Sequence, residues 1–339
     1  MFDFLFDKKE YVSCEWLEYG VNFAPKGLYH CPSFTHSYHN DEPVTPVKED
    51  YTYDYDSFLK EKKKIRRNQR KNITDIRCKG CLHLRKDIWS KKNKITKIAI
   101  CQNTKCNSDC IYCFTHDEKT FYNKRPDTPV FEFIKKNIDK GVIDKNCAIE
   151  FGGGEPVISE EFDTILNYLL DNSFTTIKIH SSGIKYSKAI ERALGFDVCN
   201  LIISPDAGER ELFKKIKNVD KFDVCWANIS QYALAQNKNK EALKVKIVMV
   251  PTVNDTFDDV KKFIDKAKES NVNYMQIDIE SEWYKKNNEN IEEIKRLFSI
   301  IKSAEKYAKT LGIICAHSFT VCTAVFKYQE LYDNTEVSL

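Results

Sequence analysis

Cys106, Cys110 and Cys113 are separated by three residues and then two, with Tyr112 directly before the last of them. Cysteine thiolates are the ligands of iron–sulfur clusters, and three so close together can hold three irons of a cubane. A fourth cysteine in the run would close the cluster into an electron carrier. With three, one iron keeps a position open for a substrate, much as an open position marks a catalytic rather than a structural zinc. Taken alone, the spacing also suits a zinc site or unrelated core cysteines. A second chemical signal follows Phe151, where the chain runs Gly152-Gly153-Gly154-Glu155-Pro156. Glycine lets the backbone approach a ligand without a Cβ in the way, and Pro156 stiffens the exit. By itself, that stretch is also compatible with a plain glycine-rich loop between a strand and a helix.

The elements that must position these residues are legible in the pattern. From residue 95 onward, strand-like and helix-like segments alternate, as in a parallel α/β sheet. Strands are predicted at 97–101, 147–151, 176–180, 198–204, 244–250 and 274–279, with helices at 130–140, 159–172, 187–194, 221–236, 256–269 and 290–311. Phe162, Ile165, Leu166 and Leu169 have the spacing of a helix with one buried face. The cysteine loop follows the first strand and the glycine run closes the second. In parallel α/β barrels, reactive groups gather at those C-terminal strand ends. Residues 1–94 differ: they are rich in aromatics, proline and mixed charge, and lack strand–helix alternation. They are expected to form an N-terminal extension folded around a metal site, with 95–312 as the barrel and 313–339 as a C-terminal cap.

The two motifs, CNSDCIYC at 106–113 and GGGEP at 152–156, resemble in order and spacing those of the radical S-adenosylmethionine (SAM) enzymes. The resemblance implies an α/β fold, a partial (β/α)6 TIM-like barrel, with a [4Fe–4S] cluster on Cys106, Cys110 and Cys113. It implies that SAM chelates the open iron and is cleaved by one electron to methionine and a 5'-deoxyadenosyl radical. It further implies a flavodoxin or ferredoxin as electron donor. By the same resemblance, Tyr112 packs near the adenine, and the backbone of Gly152, Gly153 and Gly154 holds the methionyl amine. Glu155 fixes the turn or receives that amine. Ser181 or Ser182, in the turn after the third strand, reaches the SAM carboxylate or ribose. Ser204 and Asp206, after the fourth, do likewise, and Val250, after the fifth, lies against adenine. This chain has His180-Ser181-Ser182-Gly183 where many members carry a Thr-Asn-Gly-like turn. Asp278 and Glu280, at the end of the sixth strand, are candidates to face the substrate; the alternatives are solvated or helix-capping acids.

A second metal site is expected in the N-terminal extension. Cys78 and Cys81 flank a short turn that contains Gly80, and Cys14 and Cys31 precede them, giving four cysteines outside the barrel. Four thiolates can fill a closed [4Fe–4S] cluster, and two can contribute to a zinc site; unligated cysteines are the third option. The arrangement is similar to the auxiliary-cluster modules of SPASM-type radical SAM enzymes, placed ahead of the barrel and with fewer cysteines.

Composition narrows the rest. Thirteen cysteines in a chain whose first residues make a poor signal peptide argue for a reducing cytoplasm and metal ligation rather than disulfides. No run approaches the ~20 apolar residues that span a bilayer. A net charge of +3 is too small to imply a polyanionic partner, so nucleic acid is not expected, and the basic run 60–71 reads as a solvated helix face. Cys101, Cys147, Cys199 and Cys225 read as small buried hydrophobes. The resulting expectation is hydrogen-atom abstraction from a peptide, sugar or small-metabolite substrate, with the second cluster assisting oxidation or substrate binding. Alternatives are an RNA-modifying enzyme, or a redox-neutral epimerase in which Cys315 or Cys322 donates a hydrogen atom; Cys315, His317 and Cys322 otherwise read as core residues of the last segment, or one of the thiols completes a cluster.

Overall fold

The computed structural model describes residues 10–32, 43–75, 78–79, 81, 83–89, 94–113 and 127–335. By compactness the chain forms two units: Met1–Thr104 with Thr120–Gly154 and Ser159–Ile177, and Lys105–Lys119 with Glu155–Ile158 and Lys178–Leu339.

The first unit holds strands β1 (Tyr11–Ser13), β2 (Gly20–Ala24), β3 (Gly27–Tyr29), β4 (Thr45–Pro46), β5 (Arg85–Asp87), β6 (Ile95–Ile100) and β7 (Ile143–Phe151). Its helices are α1 (Glu15–Tyr19), α2 (Tyr55–Gln69), α3 (Phe131–Asp139) and α4 (Phe162–Asp171). β6 runs parallel to β7, with Ile98 opposite Ile149, and parallel to β2 on its other side, with Val21 opposite Ile98. β3 and β4 extend this sheet antiparallel, while β1 and β5 form a separate antiparallel pair. Residues 20–24, within the expected N-terminal extension, thus form a strand of the same sheet as β6. β2 is buried at every position, so it shows none of the alternation that marks a half-exposed strand.

The second unit holds β8 (Ile177–Ser181), β9 (Cys199–Ile203), β10 (Leu243–Met249), β11 (Tyr274–Ile279) and β12 (Ile314–His317). Its helices are α5 (Lys188–Gly195), α6 (Arg210–Lys217), α7 (Phe222–Ala235), α8 (Phe257–Glu269), α9 (Ser281–Asn287), α10 (Ile291–Thr310), α11 (Phe319–Lys327) and α12 (Gln329–Asn334). β10 is parallel to both β9 and β11, and β12 is parallel to β11. Leu243, Val245, Ile247 and Met249 of β10 are fully buried. α8 begins at a capping box, in which Thr256 caps the Asp259 amide and Asp259 caps Thr256 in return. Its Val260, Phe263, Ile264 and Ala267 form the buried stripe.

The predicted strands and helices from 130 to 311 match these elements to within a few residues. Sequence reading misses α6, a short lysine-rich helix whose Leu212, Phe213 and Ile216 are too few to establish a period. It also misses β12, which turns the start of the expected cap into a strand of the sheet.

Candidate active site

The loop after β6 carries Cys106, Cys110 and Cys113, all half-buried and none in a disulfide. The buried Ser108 hydroxyl stands 3.3 Å from the Cys106 sulfur and 3.5 Å from the Cys110 sulfur, so one side chain links two of the three thiols. Cys113 closes a turn, its amide donating to the Cys110 carbonyl at 3.0 Å. Burial raises the Cys106 thiol above its usual range, and Ser108 works in the other direction.

This loop is seated on the C-terminal end of α6. The Asp109 and Ile111 amides donate to the Lys217 and Ile216 carbonyls at 2.9 and 3.0 Å, and Asn218 donates to the Asp109 carboxylate at 3.2 Å. Asn218 ends the helix in the left-handed conformation, φ 53°. Lys217 itself is buried, with its ammonium 3.5 Å from the Cys110 sulfur and 3.1 Å from the Tyr112 hydroxyl oxygen, and ion-paired with Asp206. Burial disfavours that charge, but Asp206, Tyr112 and Cys110 outweigh it and hold Lys217 protonated above the ordinary lysine range. The Tyr112 hydroxyl donates to Asp206, and burial followed by the neighbouring carboxylate pushes its own pKa well up.

Asp206 is fully buried in the turn after β9, in the left-handed region at φ 60°. One carboxylate oxygen accepts from the Val248 amide at 2.8 Å and the other takes Tyr112 and Lys217. Asn254 holds the same turn from behind. Its Nδ2 donates to the Asp206 and Val248 carbonyls at 3.2 and 2.9 Å, and its Oδ1 accepts from the Val250 amide at 2.6 Å. Glu155 is likewise committed inside the protein: it accepts from the Val157 amide at 3.1 Å, the Ser181 hydroxyl at 3.0 Å and the Ser182 amide at 2.5 Å. Burial raises its pKa, and these donors act against the rise. Glu155 thus ties the start of the turn after the glycines to the end of β8. The Ser182 hydroxyl donates to Asn107 at 2.8 Å, which ties the same turn to the cysteine loop. Ser204 places its amide on the Ser181 carbonyl at 3.2 Å, and Ser182, Ser204 and Val250 are all half-buried.

The glycines belong to the first unit. The Gly152 and Gly154 amides donate to the Ile100 and Asn103 carbonyls, each at 3.0 Å. Gly153 has φ +94°, and a Cβ there would stand 2.7 Å from the Asn103 carbonyl oxygen. Only glycine fits that position without a shift of backbone.

Also in the first unit, the four N-terminal cysteines are neighbours. Cys14 and Cys78 share one apolar cluster with Leu17 and Ile65, and Trp16 packs against both that cluster and the one containing Cys31. Burial pushes the Cys78 thiol far up, and Cys14, Cys81 and Cys31 add to the effect. The His30 Nε2, buried, lies 3.4 Å from the Cys78 sulfur, and the Leu17 amide donates to the Cys14 sulfur at 3.4 Å. Lys62 is buried beside them, donating to the Trp16 carbonyl at 3.2 Å and to the Gly20 carbonyl. Burial and Arg66 push its amine down to about 7, against Glu18, Cys14 and Cys31. Among the described residues, no three His, Cys, Asp or Glu side chains are grouped as a single metal ion requires.

Residues 103–264 match the model of the radical SAM superfamily. That stretch is a radical SAM domain. Enzymes of that superfamily use a [4Fe–4S] cluster and SAM. The donor set suits the cluster: three thiols in one loop, a hydroxyl between Cys106 and Cys110, and a buried cation on Cys110. The chain is similar to the GTP 3',8-cyclase of Thermodesulfovibrio yellowstonii, 24% identical over 179 residues, 52% of this chain and 53% of that one. It is also similar to an S-adenosylmethionine-dependent nucleotide dehydratase of Selenomonas ruminantium, 38% identical over 74 residues, 21% of this chain and 24% of that one. These matches therefore span 53% and 24% of the lengths of the two relatives. Among solved structures, Streptococcus suis SuiB bound to S-adenosylmethionine superposes with a TM-score of 0.51 at 16% identity, over 89% of this chain and 60% of that one. SuiB bound to its precursor peptide SuiA gives the same TM-score at 13% identity, over 87% and 59%. At such identities the likeness shows the fold, the unclosed α/β barrel of radical SAM proteins.

Sequence reading missed Ser108, Lys217, Asn254 and His30. Asp278 accepts from Ser318 and lies 3.7 Å from Lys246. Glu280 caps α9, accepting from the Glu282 and Trp283 amides, which is the capping alternative. Cys147, Cys199 and Cys225 are buried as expected, whereas Cys101 is half-buried. Among the described residues, no helix is long and apolar enough to cross a membrane.

Proposed function

We propose that Cys106, Cys110 and Cys113 hold the [4Fe–4S] cluster, and that the enzyme abstracts a hydrogen atom from an unactivated C–H bond of a peptide, sugar or small metabolite. When bound, the cluster and SAM supply the electron transfer and the 5'-deoxyadenosyl radical. The observation that carries the reading is the cysteine loop itself, with Ser108 between two sulfurs and Lys217 on Cys110. In this reading the half-buried Ser182, Ser204 and Val250, together with the backbone of Gly152, Gly153 and Gly154, meet SAM. Glu155 and Asp206, whose oxygens are already taken, act by holding the turns that present them. Tyr112 braces the adenine side through Asp206. Flavodoxin or ferredoxin is the proposed electron donor.

We further infer that Cys14, Cys31, Cys78 and Cys81 hold a second cluster, which accepts an electron from the product radical or binds substrate. Tetrahedral zinc at a Zn–S distance of ~2.3 Å would draw its sulfurs to about 3.8 Å apart. A cubane spreads its thiolates over separate irons, and four neighbouring thiols supply the ligands it needs. The test is anaerobic incubation with dithionite and SAM. The protein should release 5'-deoxyadenosine without substrate, and Cys110→Ala should abolish the release; persistence of the release in that variant refutes the assignment.

Redox-neutral epimerisation is the second reading, favoured by Cys315. Burial pushes its thiol up to about 12, and in this reading its S–H donates the hydrogen atom. Deuterium uptake from solvent into the product, lost in Cys315→Ala, would select it over oxidation.

A further inference from the structure

The sulfur ligand Cys110 has a neighbour that neither the motif nor the comparisons assign. Lys217 is buried at 2% exposure, its Nζ is 3.5 Å from the Cys110 sulfur, and its other partners are Asp206 and the Tyr112 oxygen. The same residue's carbonyl accepts from the Asp109 amide, within the cysteine loop. One residue therefore grips the loop twice, once through its backbone and once through a fixed cation on a ligand sulfur. The Asp206 carboxylate secures the ammonium, and the hydrogen bond to Cys110 is made by the positive member of the pair. A positive charge so placed, in a site shielded from water, favours whichever state of its neighbour carries more negative charge.

We propose that Lys217 is a positioning residue for the cluster: its buried ammonium holds the Cys110 sulfur in place and favours the reduced, more negative form of the cluster. This rests on Cys106, Cys110 and Cys113 being the cluster's ligands. Reduction is the demanding step for a site that must pass an electron to a sulfonium, so a charge that eases it has a direct use. Ser108 offers much less, because a hydroxyl carries only partial charges where Lys217 sets a full positive charge 3.5 Å from the sulfur.

The test is a potentiometric titration followed by electron paramagnetic resonance, carried out without SAM so that ligand binding does not enter. The relevant cluster is the one whose signal changes shape when SAM is added to a parallel sample. In Lys217→Met, the reduced-to-oxidised ratio at the wild-type midpoint should fall about tenfold, equivalent to a midpoint about 59 mV lower for a one-electron couple. Lys217→Arg, which keeps the charge, should stay within threefold of wild type. Lys217→Met combined with Asp206→Asn removes the cation without leaving a buried carboxylate unpaired, and should lower the midpoint as the single variant does. Loss of that cluster's iron from the Met variants but not from the Arg variant, with circular dichroism unchanged, also supports the role. Full iron with an unchanged midpoint in both Met variants overturns it, as does an Arg variant as impaired as the Met variants. If Cys110→Ala retains the SAM-responsive signal, the ligand assignment has failed, which is a separate result.

Discussion

Asn254→Ala is the most informative perturbation outside the cysteine loop. The side chain is fully buried and makes three hydrogen bonds, accepting from the Val250 amide at 2.6 Å and donating to the Val248 and Asp206 carbonyls at 2.9 and 3.2 Å. Each is worth about 1 kcal/mol net, and a buried amide left without its partner costs about 1–3 kcal/mol. Two of the bonds hold backbone whose geometry matters, because Asp206 stands at φ 60° and Val250 directly follows β10. The expected loss is about 2–4 kcal/mol of unfolding free energy, read as a lower urea midpoint at an unchanged slope. SAM affinity, measured by equilibrium dialysis on reconstituted protein, should fall about tenfold, as 1.4 kcal/mol would give. Asn254→Asp should be worse than Ala at neutral pH, since an acceptor would then face two carbonyl oxygens. A stability loss below about 1 kcal/mol together with unchanged SAM affinity refutes the idea that this side chain carries the turn.

Further outcomes follow from the same geometry. Gly153→Ala must place a Cβ 2.7 Å from the Asn103 carbonyl oxygen at φ +94°, so it should cost about 1–3 kcal/mol and weaken SAM binding while leaving iron content unchanged; iron analysis and dialysis together check it. Reconstituted wild type should carry about eight irons, and the variant lacking Cys106, Cys110 and Cys113 about four, by colorimetric iron assay. Cys78→Ala should spare substrate-free release of 5'-deoxyadenosine while impairing turnover, and equal loss of both in a folded variant would remove the division of labour between the sites. Glu305 is held below the ordinary carboxylate range: burial raises its pKa, but His317 at 2.6 Å and Tyr332 at 2.9 Å lower it further. A depressed folded pKa means that its stabilisation is present above the usual value of 4.5 and lost as pH falls through the folded value. Acid melting curves of Glu305→Gln should therefore be flatter than those of wild type.

The parts of the site that a sequence displays are those fixed by covalent spacing. Cys106, Cys110 and Cys113 must share a loop because three and two residues separate them, and the strands around them announce themselves by buried apolar runs such as that of β10. The parts it conceals are partners that meet only after the chain has folded. Lys217 is 107 residues from Cys110, and Asn254 is 48 from Asp206; in the sequence one is a lysine in a lysine-rich stretch and the other an asparagine in a turn. Glu155 is legible as important, with fixing the turn as one of two tasks, but its partners are not. Its three donors come from the next two residues' turn and from the end of β8, and they leave it fixing backbone. β2 was hidden because complete burial removes the alternation that identifies a strand.

Lys217 and Lys62 show how one residue type meets the same difficulty in two settings. Sulfur ligands buried together need positive charge or hydrogen-bond donors, since a buried charge without a partner is costly. At the cysteine loop, the cation is anchored by a carboxylate: Asp206 faces Lys217, and the charge is secured whether or not a cluster is present. Beside Cys14 and Cys31, the lysine is anchored on the Trp16 and Gly20 carbonyls, while the nearby Glu18 is bound to Arg66. The charge on Lys62 is therefore poorly supported by the protein alone, as the fall of its amine to about 7 reflects. In the proposed assignment, the first site is built to hold its cluster through a change of redox state. The second, with His30 on Cys78 and a lysine held by neutral oxygens, depends on its cluster to complete its own electrostatics. The chain thus places its rigid, pre-compensated charge where an electron must be delivered.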